Sequence, residues 1–226
     1  GIGRETCKVL AREGATVVVT CIDEAGAQET VTLLDGTGHI ALWYDVKKFD
    51  SATELVNTIK ERYGRPPDIL VNCAGIGGRA TLFDQTPESF QSILDVNLKG
   101  TFFTSQAVCR ELIAVKMAGS VVNVSSLSVH YGLEGLSAYV SSKAGVDAIT
   151  SCMTKDLGLH NITVNSVQPG AVDTTMVSKD FKVGYAEQCP MKRVGQPQEI
   201  AEVIVFLASE RASYVGGAQY SISGGL

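Results

Sequence analysis

A serine, a tyrosine and a lysine lie at short intervals in the second half of the chain. Ser126 comes 13 residues before Tyr139, and Lys143 comes four residues after it. If residues 137–157 form a helix, Tyr139 and Lys143 share one face, about 5–6 Å apart at Cβ. An ammonium at that distance stabilises a phenolate and lowers the pKa of the phenol. We therefore predict that these three residues are proton-transfer machinery.

The chain contains a second Tyr-x-x-x-Lys pair, Tyr44 and Lys48. Tyr44 ends an apolar run that begins at Ile40 and is followed by Asp45, a pattern typical of a strand end rather than a helix. Val31 stands 13 residues before Tyr44, where the first pair has a hydroxyl. A structural role is therefore predicted for the second pair.

Length and composition favour a single α/β domain. With 226 residues, of which 45% are apolar, the chain can bury one large core, and no run of 18 apolar residues predicts a membrane span. A net charge of −5 with scattered Lys and Arg argues against nucleic acid as a partner. Six cysteines without a C-x-x-C pair are typical of free thiols in a reducing compartment.

Apolar runs alternate with helical patterns along the chain, which predicts βαβ units. The expected fold is a Rossmann-type doubly wound parallel sheet flanked by helices on both faces. Ligands of such folds bind at the carboxyl ends of the strands, where Gly75, Ser126 and Gly170 fall. The predicted strands are 15–20, 40–44, 68–75, 119–125, 162–168 and 219–223, and the predicted helices are 4–13, 24–34, 51–63, 87–116, 137–157 and 197–208.

The chain opens on Gly1-Ile2-Gly3 and passes directly into a helical pattern. A dinucleotide-binding fold places a buried strand just before such a turn, and the pyrophosphate over the helix that follows. We therefore expect a further central strand upstream, between the strands at 15–20 and 68–75. Residues 1–226 would then be one N-terminally truncated NAD(P)-binding domain, poorly soluble or inactive without that strand.

Six motifs, in this order, resemble the short-chain dehydrogenase/reductase family over nearly the whole chain. They are Gly1-Ile2-Gly3, Asn72-Cys73-Ala74-Gly75, Asn97, Ser126, Tyr139-x-x-x-Lys143 and Pro169-Gly170. Within the family, the run 65–76 is similar to 3-oxoacyl-[acyl-carrier-protein] reductases and hydroxysteroid dehydrogenases. The resemblance implies an NAD(P)-dependent oxidoreductase that transfers a hydride between a nicotinamide cofactor and a carbonyl or secondary alcohol, such as a 3-oxoacyl thioester or a hydroxysteroid.

The resemblance also implies a role for each residue. Tyr139 would exchange a proton with the substrate oxygen, Ser126 would hydrogen-bond that oxygen, and Lys143 would lower the Tyr139 pKa and hold the nicotinamide ribose. Asn97 would relay protons through water, unless its amide simply bonds to the backbone. No metal site is predicted, and the expected cofactor contacts are Gly1, Ile2, Gly3, Cys21, Asp23, Asp45, Val46, Asn72, Ala74, Gly75, Tyr139, Lys143, Pro169, Gly170, Val172 and Thr174.

The choice of cofactor depends on the end of the strand at 15–20. An acidic side chain there favours the ribose of NAD, and an arginine favours the phosphate of NADP. Cys21 occupies the end of this strand, followed by Asp23 and Glu24, and no Lys or Arg occurs between Arg12 and Lys47. NAD(H) is therefore favoured, with NADP(H) possible.

The sequence specifies the substrate only weakly. Apolar residues in 176–189 could cover an acyl chain or a steroid face, or could pack as an ordinary lid helix. His130 could contact the substrate or be a bystander. Alternatives are a reductase of small carbonyls or sugars and, in another class, a non-catalytic NAD(H)-sensing module. The helices at 87–116 and 137–157 would pack in a homotetramer, or in a hetero-oligomer with a related subunit, in the mitochondrial matrix or the cytoplasm.

Overall fold

Strands and helices alternate along the chain, as the apolar runs predicted. The computed structural model describes all of residues 1–226. The strands are β1 (Val18–Cys21), β2 (Ile40–Trp43), β3 (Ile69–Asn72), β4 (Gly119–Val124), β5 (Ile162–Pro169) and β6 (Gln219–Ile222). The helices are α1 (Ile2–Arg12), α2 (Glu24–Thr32), α3 (Ser51–Tyr63), α4 (Pro87–Leu94), α5 (Thr101–Ala114), α6 (Ser137–Leu157), α7 (Lys179–Gln188) and α8 (Pro197–Ala208).

Every strand pair is parallel, and the strands form two groups. β3, β4, β5 and β6 make a four-stranded sheet in that order, whereas β1 pairs only with β2. The longest ladder joins β4 to β5, from Gly119 opposite Ile162 to Val124 opposite Val167. β1 and β3 are not hydrogen-bonded to each other, and the further strand expected from the sequence would lie between them, which stays a prediction.

Helices cover both faces of the larger sheet, because successive side chains of a strand point to opposite sides. Val121 of β4 packs with Val108 and Leu112 of α5 on one face. Its neighbour Val122 packs with Ile204 of α8 on the other face. The Rossmann-type α/β fold predicted from the sequence is confirmed. None of the helices combines the length and the apolar character that crossing a bilayer requires.

Helices α3, α6 and α8 have the bounds predicted for them. Residues 179–188 form helix α7, and whether its apolar residues cover a substrate stays a prediction. The Ser178 hydroxyl caps it by accepting a hydrogen bond from the Phe181 N–H. The spacing of Phe181, Tyr185 and Cys189 at i, i+4 and i+8 was the signal that could have identified it.

The long helix predicted at 87–116 contains an irregular turn. Helices α4 and α5 are joined by a π-helical segment, Asp95–Gly100, so that the chain is helical from residue 87 to residue 114. A π turn adds one residue to the helix and changes the direction of the side chains that follow, and it occurs frequently at functional sites. Asn97, one of the predicted site residues, lies inside it.

Candidate active site

Three predicted site segments meet at one edge of the larger sheet. Gly75 follows β3, Ser126 follows β4 and Gly170 follows β5. Because the three strands are parallel neighbours, their carboxyl ends lie side by side. The loops that carry these residues therefore surround one common space, which α6 borders.

Helix α6 carries Tyr139 and Lys143 one turn apart, as the sequence predicted. The Lys143 ammonium nitrogen lies 5.9 Å from the centroid of the Tyr139 ring. The Ser126 side chain lies close enough to the Tyr139 hydroxyl to lower the pKa of that group. The structure thus brings together the serine, tyrosine and lysine that are separated in the sequence.

Lys143 is buried, and its ammonium is held by the backbone. Its Nζ donates a hydrogen bond to the Val124 carbonyl oxygen at 2.7 Å. Burial lowers the pKa of Lys143 to about 8, while Cys73 and Asp147 raise it. A Cβ atom at Gly75 would lie only 3.4 Å from Nζ, so the glycine allows the backbone to approach the lysine closely. The cation is therefore fixed in position and readily discharged.

The Tyr139 hydroxyl has a different electrostatic environment from the one expected. Burial raises the pKa of Tyr139, and the hydrogen bond with Ser126 lowers it. The expected net lowering of this pKa is not observed, because burial outweighs the effect of Ser126 and the Lys143 ammonium binds the Val124 carbonyl. Tyr139 is thus a protonated acid over a wide pH range.

Ser126 is oriented by a residue that the sequence reasoning missed. Its hydroxyl oxygen lies 2.9 Å from the Ser128 hydroxyl and also accepts the Ser128 N–H at 3.3 Å. Ser126 caps a short 3-10 turn, Leu127–His130, and the contact to Ser128 is part of that cap. A hydroxyl two residues after the predicted catalytic serine was the available signal.

The Asn97 side chain is fully buried and its amide is occupied. Its nitrogen donates to the Ile76 carbonyl and to the Ser142 hydroxyl, both at 3.0 Å, and its oxygen accepts the Ile76 N–H at 2.8 Å. The geometry therefore corresponds to the alternative in which the amide bonds to the backbone. Asn97 positions the turn after β3 against α6, and its participation in proton relay stays a prediction.

The predicted glycine turn, the end of β3 and the loop after β5 converge. A Cβ at Gly1 would lie 3.5 Å from the Thr174 methyl group, and one at Gly3 would lie 3.4 Å from the Cys73 sulfur. Helix α1 starts at Ile2 without a side-chain cap, and a cleft of about 430 Å³ opens beside Gly1 and Thr174. Uncapped N–H groups next to small residues suit an anionic pyrophosphate, so these residues fit a dinucleotide.

The loop after β1, which is predicted to contact the ribose that distinguishes NAD from NADP, is acidic. Asp23 caps α2, and its carboxylate accepts the Gly26 N–H at 3.0 Å. A Cβ at Gly26 would lie 2.4 Å from the other Asp23 oxygen, so a larger residue there would displace the Asp23 carboxylate. Arg4, which the sequence reasoning did not consider, extends to α2 and binds the Glu29 carboxylate through both guanidinium nitrogens. Its charge is therefore already neutralised.

The side chains of two predicted cofactor contacts, Asn72 and Val172, are buried in the core. The Asn72 amide nitrogen donates to the Ser105 hydroxyl and to the Asn123 carbonyl oxygen, at 2.9 and 2.8 Å. Val172 is 3% exposed and packs in the apolar cluster beneath α8. Neither side chain is free to contact a ligand, so a contact from Asn72 or Val172 would come from the backbone, and both assignments stay predictions. Two of the other predicted contacts end strands: Cys21 ends β1, and Pro169 ends β5 and is buried. The Asp45 carboxylate accepts a hydrogen bond from the Lys47 N–H, and Val46 packs against Gly100. Ala74 is exposed.

Known proteins resemble this chain over its whole length. The family described as Enoyl-(Acyl carrier protein) reductase matches residues 1–226. A human (3R)-3-hydroxyacyl-CoA dehydrogenase is 39% identical over 238 residues, covering 100% of this chain and 91% of its own. The 3-oxoacyl-[acyl-carrier-protein] reductase FabG of Thermotoga maritima is 38% identical over 231 residues, covering 100% and 93%. The structure of a putative short-chain alcohol dehydrogenase from Sinorhizobium meliloti 1021 superimposes with a TM-score of 0.92 at 32% identity, covering 99% and 91%.

Proposed function

Since the chain belongs to the short-chain dehydrogenase/reductase family and is an NAD(P)-dependent oxidoreductase, we propose that it interconverts 3-oxoacyl and 3-hydroxyacyl thioesters with NAD(H). The observation that carries this proposal is the assembly of Ser126, Tyr139 and Lys143 at the carboxyl edge of the sheet. These residues supply an acid, a hydrogen-bond donor and a cation around one space.

In the reducing direction, the carbonyl carbon gains a hydride and its oxygen gains a proton. The nicotinamide cofactor supplies the hydride when it is bound. Tyr139 gives its hydroxyl proton to the oxygen as the C=O double bond becomes a single bond. In the oxidising direction, the Tyr139 phenolate takes the proton back from the alcohol. Burial, which keeps Tyr139 protonated, favours its action as the acid of the reduction.

Ser126 and Lys143 stabilise the charges that develop during this proton transfer. The Ser126 hydroxyl, oriented by Ser128, donates a hydrogen bond to the substrate oxygen as negative charge grows there. The buried ammonium of Lys143 stabilises the phenolate that remains on Tyr139. Gly1 and Thr174 line the cleft, and Gly3 and Gly75 lie close to Cys73 and Lys143, so these four residues would hold the cofactor.

The thioester substrate is proposed from the relatives and from the apolar helix beside the site. Both curated relatives have names that refer to 3-oxoacyl or 3-hydroxyacyl thioesters. Met176, Phe181 and Val183 expose apolar surface in and before α7. Tyr185 holds α7 against the site, since its hydroxyl donates to the Ser223 carbonyl at 2.7 Å and occupies the space beside Gly170. An exposed apolar surface of this kind suits an acyl chain.

NAD(H) is proposed because of the charges at the end of β1. Asp23 and Glu24 are both exposed there and would repel a 2′-phosphate. Arg4 is bound to Glu29, so it does not offset this repulsion.

An assay of reduction tests the proposal. The full-length protein would be incubated with acetoacetyl-CoA, a longer 3-oxoacyl-CoA, a 3-oxosteroid and a simple ketone, each with NADH and with NADPH. We expect the 3-oxoacyl thioesters with NADH to give the highest kcat/KM. A higher kcat/KM for the steroid or the ketone would contradict the substrate, and turnover of none of them would contradict the proposal as a whole.

A further inference from the structure

A chain of hydrogen bonds leads from the interior of the sheet to His130. Asp147, on α6 one turn after Lys143, is buried, and its two carboxylate oxygens accept from the Ser166 hydroxyl at 2.7 Å and from the Gln168 amide nitrogen at 2.8 Å. The Gln168 amide oxygen lies 2.8 Å from His130 Nε2 and accepts from the Ser221 hydroxyl at 3.0 Å.

This chain of bonds determines which nitrogen of His130 carries a proton. A carboxylate only accepts hydrogen bonds, so Asp147 requires the amide nitrogen of Gln168 on its side and leaves the amide oxygen facing His130. An amide oxygen also only accepts, so His130 Nε2 must be the donor. In the neutral ring, Nδ1 then has a lone pair and is a hydrogen-bond acceptor.

His130 Nδ1 makes no hydrogen bond within the chain, and the residue is exposed. The ring belongs to the 3-10 turn that Ser126 caps, about 8 Å along the turn from that serine. Its partner Gln168 lies two residues before Gly170, at the edge of the sheet where the substrate space opens. The next residue, Tyr131, is close enough to Tyr185 of α7 for the two side chains to interact electrostatically.

We propose that His130 is a specificity-determining residue whose Nδ1 accepts a hydrogen bond from the amide N–H in the thioester arm of the substrate. The inference rests on the proposed function, and it extends that function from the reacting carbonyl to the arm beyond the sulfur. The first amide nitrogen of a pantetheine-type arm lies a few bonds beyond the thioester sulfur. Its distance from the reacting carbonyl is therefore comparable with the distance of about 8 Å along the turn between Ser126 and His130. Gln168 and Asp147 act as positioning residues that keep the acceptor on Nδ1.

Two thioesters that differ in one group test this contact. The acetoacetyl thioester of N-acetylcysteamine carries an amide N–H, and the matching S-(2-acetoxyethyl) thioester has an ester oxygen in its place. With the His130 ring neutral, the wild-type enzyme should show a kcat/KM about fivefold higher for the amide, the scale of one net hydrogen bond. The measured quantity is the ratio of kcat/KM for the two compounds.

Two variants of His130 separate direct contact from structural support. His130→Gln keeps a donor for the Gln168 oxygen but has no acceptor at the position of Nδ1, and His130→Phe has neither. Both should lower the ratio to about one, with the loss in KM rather than in kcat and with the Kd for NADH unchanged. His160→Phe, at an exposed histidine in the turn after α6, is the control and should leave the ratio unchanged.

The tautomer of His130 is measured independently of activity. Long-range ¹H–¹⁵N correlation spectra of the neutral ring should show the His130 proton on Nε2, and Gln168→Met should give a mixture of tautomers and a ratio closer to one. A proton on Nδ1 in the wild type would overturn the inference.

Equal kcat/KM for the two probes in the wild type would overturn the inference while leaving the proposed function intact. A ratio that His130→Gln leaves unchanged would do the same. Failure of the wild type to reduce either probe would instead count against the proposed function itself.

Discussion

The two Tyr-x-x-x-Lys pairs of this chain have opposite surroundings. Tyr44 follows β2 and is buried, and its hydroxyl is 2.7 Å from the Thr104 hydroxyl of α5. Lys48 is exposed and lies over the Trp43 ring, 4.6 Å from its centroid. In the other pair, on α6, the lysine is the buried partner and the tyrosine hydroxyl meets Ser126.

The difference shows that the spacing alone does not make a catalytic pair. Tyr44 and Lys48 do not share a helix, so their side chains diverge, and the Tyr44 hydroxyl is satisfied inside the core. This agrees with the structural role predicted for that pair. Tyr139 and Lys143 act together because they share helix α6, because Ser126 follows strand β4 beside them, and because Gly75 lets the backbone approach Lys143 closely. The spacing of Tyr139 and Lys143 in the sequence does not specify the positions of Ser126 and Gly75. The first three of the following predictions each test one side of this contrast, and the fourth concerns the cofactor loop.

The largest effect is expected at the Tyr139 hydroxyl. Tyr139→Phe should lower kcat by at least about 10²-fold, the lower end of general acid–base effects, because Ser126 hydrogen-bonds the substrate oxygen without transferring its proton. The Kd for NADH should stay nearly unchanged. Tyr44→Phe is the matched control and should leave kcat within about twofold. Retention of more than about a tenth of the activity in Tyr139→Phe would contradict the proposed mechanism.

Lys143 should make stability depend on pH. Its pKa is about 8 in the folded chain against an ordinary value of 10.5, so the unfolded chain retains this proton over a range in which the folded chain has lost it. The free energy of unfolding should therefore rise with pH from about 8 to 10.5, by of order 3 kcal/mol from this group.

Denaturant unfolding of the wild type and of Lys143→Met across that range measures this effect as the difference between the two proteins. Contributions of cysteines and tyrosines to the pH dependence of the unfolding free energy are common to both proteins, so they cancel in this difference. Lys48→Met should show the same pH dependence as the wild type. A difference between wild type and Lys143→Met that is constant with pH would mean that the buried lysine is not discharged in this range.

Tyr44 should matter for stability rather than for catalysis. Tyr44→Phe removes one partner of a buried hydrogen bond and leaves the Thr104 hydroxyl without it. The expected loss in unfolding free energy is about 1–2 kcal/mol, measured by denaturant unfolding. Tyr214→Phe, at a fully exposed tyrosine, should change nothing. An unchanged stability together with a reduced kcat in Tyr44→Phe would reverse the contrast between the two pairs.

The smallest effect is expected at the cofactor loop. Asp23→Asn should improve NADP(H) binding by roughly 1 kcal/mol, about fivefold in Kd, the scale of a solvent-screened charge contact. Asparagine caps a helix about as well as aspartate, so α2 should be preserved. Titration of both cofactors into wild type and variant measures this, with the exposed Asp35→Asn as the control. A wild type that already binds NADPH more tightly than NADH would show that other residues set the preference.

The sequence by itself determined the alternation of strands and helices and the candidate Ser126, Tyr139 and Lys143. These features depend on local periodicity and on spacing along one helix, which are properties of neighbouring residues. The bounds of α3, α6 and α8 followed from the same periodicity.

Only the tertiary structure decided what surrounds those residues. The bond from Ile76 to Asn97, the bond from Lys143 to the Val124 carbonyl and the bond from His130 to Gln168 join residues that are 19 or more positions apart. Such contacts depend on which strands are neighbours and in what register they pair, and no local pattern specifies either. The same physical reason explains why the sequence predicted a lowered pKa for Tyr139, whereas burial among distant residues raises it.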